Sequence, residues 1–167
     1  MIKKILFLLF FICFEKVSLM TDNIIYAPNP VEIKEGLKKI FLAGTIDNGD
    51  SKNWQEEICS LLKGRNDIVV FNPRRIPWTS DCDIEEQIRW ELRRLEESDI
   101  ILMNILPNSK SPITLLEMGL FARGGKLRVF CNDGFYRFDN VRVTCETYKV
   151  QLFTDEDIID YVKTKII

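Results

Sequence analysis

Short apolar runs without polar alternation, separated by amphipathic stretches, constrain this chain more than any other feature. The strand-like runs are Ile40–Ala43, Ile68–Phe71, Ile100–Ile105, Leu127–Cys131 and Val150–Phe153. Helix-like stretches lie near Trp54–Lys63, Ile84–Ser98, Pro112–Arg123 and Glu156–Lys165, while the pattern of Asp139–Glu146 is ambiguous. A strand covered on one face alternates apolar and polar side chains. Runs that do not alternate suit strands covered on both faces, which means a parallel sheet under helices. Repeated βα units of this kind predict an open, doubly wound α/β fold, in which ligands bind outside the carboxyl ends of the strands. Four segments fall at such ends: Gly44–Ser51, Asn72–Trp78, Leu106–Ser111 and Asn132–Gly134.

Composition narrows the chemistry. The 167 residues fit one domain with a substantial core. At 46 % hydrophobic and 29 % charged, the chain matches neither a disordered segment nor an integral membrane bundle. A formal charge of −2 and a pI near 5.4 argue against a broad basic face, so no nucleic-acid polymer is expected as partner. The chain has no histidine. That removes Ser-His-Asp and Cys-His nucleophile activation and every His-ligated zinc site. An enzyme built from this chain works mainly through carboxylates, backbone amides or a metal held by oxygen. Cys13, Cys59, Cys82, Cys131 and Cys145 form no Cys-x-x-Cys pair. At least four of them read as reduced, mostly buried small hydrophobes rather than disulfide or metal-binding thiols.

Met1–Phe14 carries two lysines followed by an apolar stretch. It has the n- and h-regions of a secretory signal and is too short to span a membrane. No small-x-small cleavage site follows it, and two readings stand. Either residues 1–19 export or anchor the protein, or they are an upstream in-frame extension and Met20 starts a cytoplasmic protein. A membrane partner is expected only under the first. Residues 20–38, with Pro28 and Pro30, read as an extended lead-in, and residues 39–167 as the folded domain.

Two glutamates sit where apolar residues belong. The stretch from Pro112 opens with Ser111 as N-cap and Pro112 at the first helical position. At about 100° per residue, Glu117 projects among Ile113, Leu116, Leu120 and Phe121, the stripe expected to face the sheet. A carboxylate buried there costs several kcal/mol unless it is paired or hydrogen-bonded. In the preceding helix Ile84, Ile88, Leu92 and Leu95 form the expected core stripe, with Glu91 on the same edge. A structural reading remains beside the functional one: Glu117 satisfied by a buried arginine or backbone amides, Glu91 paired with Arg89 or Arg94. Functional sites are nevertheless where such acids gather.

Two semi-buried glutamates near strand ends, without histidine, point to chemistry at an acetal-like carbon. One carboxylate attacks or stabilises an oxocarbenium-like centre and a second acid assists the leaving group. Magnesium-dependent phosphoryl transfer is the competing carboxylate chemistry. It requires an Asp-rich cluster or a P-loop, and Gly44–Ser51 (GTIDNGDS) lacks the Gly-Lys-Ser/Thr ending. No metal site and no cofactor is expected.

The segments IFLAGTIDNG, FNPRR, EEQIRWELRRLEESDIIL and SPITLLEMGLFARGGK together resemble the nucleoside 2-deoxyribosyltransferase-like family, which includes 2′-deoxynucleoside 5′-phosphate N-hydrolases. The similarity runs from about Lys39 to Cys131. It implies a flavodoxin-like (Rossmann-like) three-layer α/β sandwich with a five-stranded parallel sheet, in agreement with the pattern above. By this resemblance Glu117 matches the nucleophile that attacks C1′ of the sugar or supports charge there. Glu91 matches an acidic position, usually aspartate in the transferases, that assists the departing base. Ser111 matches a position that is aspartate in the transferases and serine in the nucleotide hydrolases. A serine at a helix N-terminus accommodates a phosphate that aspartate would repel, and it is equally a plain helix cap. Gly44, Thr45 and Ile46 match the loop that closes over sugar and base. Asn72, Pro73 and Arg74 lie where the base or phosphate edge is read, with Arg74 and Arg75 alternatively plain surface cations. Trp78 and Trp90 read as core or interface residues before base-stacking ones. The resemblance also implies a homodimer or higher homo-oligomer whose neighbouring subunit completes the site.

The expected function is therefore cleavage or transfer of the N-glycosidic bond of a (2′-deoxy)nucleoside or its 5′-monophosphate. Two alternatives stand beside it: a nucleotide-binding module without turnover, and cleavage of another N-glycoside such as a nicotinamide dinucleotide.

Overall fold

The structure, a computed structural model, describes residues 22–30, 32–75 and 83–167. The readings of residues 1–19, of Met20 as a start, of Trp78 and of Cys82 fall outside these residues. The strands are β1 (Ile24–Tyr26), β2 (Lys38–Gly44), β3 (Ile68–Asn72), β4 (Ile100–Ile105), β5 (Leu127–Cys131) and β6 (Gln151–Phe153). The helices are α1 (Trp54–Leu62), α2 (Ile84–Glu97), α3 (Pro112–Phe121), α4 (Phe138–Tyr148) and α5 (Ile158–Tyr161). All strands are parallel, in the order β1-β3-β2-β4-β5-β6. Strands β2 to β6 are the five predicted runs, arranged as a flavodoxin-like doubly wound sheet. The ambiguous Asp139–Glu146 segment is helical, within α4.

The sheet has six strands rather than the expected five. Part of the lead-in pairs with β3, placing Ile24 opposite Val70 and Tyr26 opposite Asn72. Three residues are too few for a readable period, and this strand exists because β3 presents a free parallel edge. Asn23 secures it from below, donating through Nδ2 to Leu62 O at 2.8 Å and accepting from Gly64 N at 2.9 Å.

Successive residues of each central strand feed opposite layers, as the pleat requires. Phe41 and Ala43 of β2 pack with Trp90, Leu95, Met118 and Val141 from α2, α3 and α4. Ile40 and Leu42 pack with Trp54, Ile58, Leu62 and Ile159 from α1 and α5. Both faces of the sheet are thus covered, which is why its strands carry no polar alternation. The described cysteines, Cys59, Cys131 and Cys145, are buried and free. Among the described residues, no helix is long and apolar enough to cross a membrane.

Two helices are rotated relative to the stripes expected from sequence. On α2, Ile84, Ile88 and Leu92 are exposed, and the inward face is Gln87, Trp90, Arg94 and Leu95. Trp90 supplies the apolar area, with its ring 6.2 Å from those of both Phe41 and Phe71. Arg94 lies inside by stacking over Phe71 at 5.1 Å while pairing with Glu97 at 2.7 Å. On α3, Ile113, Leu116 and Leu120 are 57–60 % exposed, and Thr114, Glu117, Met118 and Phe121 face inward. Glu117 is buried as expected, but among different neighbours. A helix apolar almost all round does not announce which side meets the sheet.

Candidate active site

The strand order reverses direction at β2 and β4, and in a doubly wound sheet the crevice opens at that switch point. A cavity of about 370 Å³ lies there, between the loop after β2, the loop after β3, and helices α2 and α3. Gly44, Thr45, Ile46, Pro73, Glu91, Ser111 and Glu117 all contribute to its wall.

Gly44 ends β2 at φ +135°, and a Cβ there would sit 2.2 Å from Asn104 O. Only glycine lets β2 press this closely on β4 and turn its next residues over the cavity. Thr45 follows and is buried. Its hydroxyl stands 2.6 Å from Ser111 Oγ and 3.1 Å from Ser109 Oγ, and accepts from Leu106 N at 3.0 Å. Ser109 and Ser111 are themselves 2.7 Å apart. Ser111 occupies the N-cap position of α3 at φ +44°, but its side chain makes no capping bond. Its hydroxyl serves this cluster instead, which corrects the plain-cap reading.

Asn72 and Arg74 do not line the cavity. Asn72 is buried beneath it: Nδ2 donates to Cys59 Sγ at 3.4 Å and Oδ1 accepts from Arg74 N at 2.9 Å. Arg74 is neither a surface cation nor a wall residue. Its guanidinium donates to Gly49 O at 2.5 Å and Ser51 O at 2.8 Å, gripping the loop after β2 from behind. That loop carries Asp47 and Asn48, both at positive φ and both on the cavity wall. The carbonyls that Arg74 reaches are supplied by the folded loop, so a basic residue beside proline gave no signal of this use. Trp90 is core, with its indole N–H donated to Asn29 O at 3.1 Å.

One wall residue escaped the sequence reading. Gln87, buried on α2, donates through Nε2 to Glu91 Oε1 at 2.6 Å and to Pro73 O at 2.9 Å, and accepts from Arg75 Nε at 2.5 Å. Its only sequence signal is a place one helical turn before Glu91, within a run rich in charges.

The two carboxyls differ in their surroundings. Glu117 is 8 % exposed, and no donor among the described residues reaches it. Burial, with the charge of Glu91 second, pushes its carboxyl up to about 8. Glu91 is also raised by burial, while the Gln87 hydrogen bond and the Arg75 charge pull the other way. Like charges facing each other in a poorly solvated cavity disfavour double ionisation, so the pair tends to share one proton. Such a pair supplies an acid and a base side by side. Among the described residues no cluster of acidic or thiol groups is arranged to hold a metal ion. A second cavity of about 330 Å³, beside α3 and α4, contains Arg137 and no carboxylate.

No curated protein matches the chain. The family described as "Nucleoside 2-deoxyribosyltransferase like" matches residues 37–135, a span that holds β2 to β5, both glutamates and every wall segment of the cavity. The chain belongs to that nucleoside 2-deoxyribosyltransferase-like family.

Proposed function

We propose that the protein breaks or transfers the N-glycosidic bond of a 2′-deoxynucleoside or its 5′-monophosphate, with Glu117 acting at C1′ and Glu91 at the departing base. The observation that carries this reading is the presence of two carboxyls on the wall of one cavity, Glu117 without a donor among the described residues and Glu91 with one. In the empty cavity the shared proton favours Glu117, because Gln87 and Arg75 favour the ionised form of Glu91. Positive charge developing at C1′ reverses that preference, drawing Glu117 to its anion and leaving Glu91 to carry the proton. A Glu117 oxygen then forms a bond to C1′ as the C1′–N bond breaks. Its electron pair goes to the base nitrogen, which takes the Glu91 proton. Water or a second base attacks C1′ of the resulting ester as the C1′–O bond breaks and its electron pair returns to the Glu117 carboxylate, and Glu91 accepts the proton that the attacker releases. The Thr45–Ser109–Ser111 hydroxyls at the start of α3 favour a 5′-phosphate, since none of them is negatively charged.

The protein is further proposed to work as a homodimer or higher homo-oligomer. Ile84, Ile88 and Leu92 of α2 and Ile113, Leu116 and Leu120 of α3 are exposed, and Ile84, Ile88 and Ile113 also reach the cavity wall. A second copy seated on these helices would cover apolar surface that monomers rarely leave open and would wall the cavity mouth.

Incubation with a panel of nucleosides and 5′-monophosphates, with and without a second free base, followed by chromatography, tests the reaction. Base release that falls on the order of a thousandfold in Glu117→Gln is expected. Binding without release from any substrate, or equal release by Glu117→Gln, overturns it.

A further inference from the structure

The Gln87 amide binds three partners beside the cavity, and its bonding pattern carries an inference that rests on the glycosidic reading above. We propose that Gln87 is a positioning residue for Glu91: it holds one carboxyl oxygen as an acceptor so that the transferable proton rides on the other, with Arg75 setting the sense of the amide.

The two ends of a carboxamide are chemically opposite, one accepting and one donating, and here each meets a partner that tolerates a single orientation. Arg75 Nε is a permanent donor and faces Gln87 Oε1 at 2.5 Å. Pro73 O is a permanent acceptor and faces Gln87 Nε2 at 2.9 Å. A flipped amide would set N–H against N–H and carbonyl against carbonyl in a side chain only 2 % exposed. Gln87 Nε2 is therefore obliged to point its remaining hydrogen at Glu91 Oε1, 2.6 Å away. Arg75 is held in turn by Asp83 O at 3.2 Å and by the Glu86 carboxylate at 3.8 Å, and its side chain is 9 % exposed.

An oxygen that accepts an N–H in both protonation states is a poor seat for a proton. The proton of a neutral Glu91 consequently occupies Oε2. Without Gln87 neither oxygen is set apart as the acceptor, and the proton distributes over both. Among the described residues, the charged groups around Glu91 are Arg75 from the segment after β3, Glu117 from α3 and Asp47 of the loop after β2, which shares the cavity wall. Glu117 is the coupled partner, so its contribution has to be removed in order to read Glu91 alone.

The test uses the full chain with Gln87→Met, close in volume but unable to donate, and Arg75→Lys, which keeps the charge and leaves Gln87 in place without its orienting fork. Base release is followed against pH. In parallel, the Glu91 carboxyl is titrated by carbon-13 NMR in a Glu117→Gln background. The expected result for Gln87→Met is a lower kcat at little-changed KM. The alkaline limb of its profile and the Glu91 titration should move about one pH unit upward, the loss of a hydrogen bond to the ionised form. Arg75→Lys is expected to shift both the same way by less, and it alone decides if Gln87→Met does not fold. An active wild type whose variants keep an unmoved profile and titration overturns the positioning role by itself. A wild type that releases no base from any substrate overturns the glycosidic reading and the proton role together, even if the titration moves.

Discussion

Across the cavity between α2 and α3, the charge of Glu91 adds to burial in lifting the carboxyl of Glu117 to about 8. Burial is the larger cause, so the two contributions separate on mutation. Glu91→Gln is expected to lower the Glu117 pKa while leaving it clearly above the ordinary value of 4.5, read by carbon-13 NMR titration. A Glu117 titration unmoved by this substitution would show that the two groups do not sense each other. The same variant should slow base release by about 10²- to 10⁴-fold, the range for losing a general acid, and least for bases that leave readily without protonation.

The raised carboxyl also makes stability depend on pH. Glu117 binds its proton more tightly folded than unfolded, so its contribution is fully present below about 4.5. It is lost progressively as pH rises through about 8, because the unfolded chain ionises first. Urea unfolding of the wild type should therefore show stability declining over that window. The decline relative to Glu117→Gln should be on the order of a few kcal/mol. Parallel curves for the two proteins across this range would contradict the burial of an unpaired carboxyl.

Arg74 acts through the loop it grips. Arg74→Lys keeps the charge but loses the fork that spans Gly49 O and Ser51 O, so Asp47 and Asn48 are no longer held over the cavity. A rise in KM of about tenfold with a smaller change in kcat is expected, matching the loss of one hydrogen bond from a charged donor. A fall in thermal stability with both kinetic constants intact would assign Arg74 to the fold alone.

The exposed apolar face of α2 and α3 predicts association. Sedimentation velocity should find the wild type as a dimer or larger, and Ile88→Glu combined with Leu116→Glu should produce monomers that retain the far-ultraviolet circular dichroism of the fold. Both positions are exposed, so neither substitution empties the core. A wild type that sediments as a monomer removes the proposed second copy.

Much of the scaffold was legible because its physics is local. Five runs without polar alternation named β2 to β6, and the absence of alternation itself said that helices cover both faces. Glu117 was legible for a related reason: it is the one carboxyl in a helix otherwise apolar apart from Thr114 and Gly119, and a charge there is costly enough to stand out. The orientation of that helix was not legible. Ile113, Leu116 and Leu120 are as apolar as Met118 and Phe121, and nothing within α3 says which set meets the sheet. On α2 the pattern pointed the wrong way, because Trp90 and Arg94 together cover the core better than the isoleucines that keep helical period.

Taken alone, the sequence determined a doubly wound parallel sheet and, in a chain without histidine, singled out Glu117 and Glu91 as the carboxylates on which the proposed reaction rests. Tertiary structure alone decided that Asn72 and Arg74 turn beneath the loop after β2 rather than into the cavity. It also decided that Ser111 bonds to Thr45 rather than capping α3, and that Gln87 joins Arg75 to Glu91. Periodicity states which residues share a face of one element. The partners that settle these roles lie on other elements, 66 residues apart for Thr45 and Ser111, and they meet only when the sheet assembles.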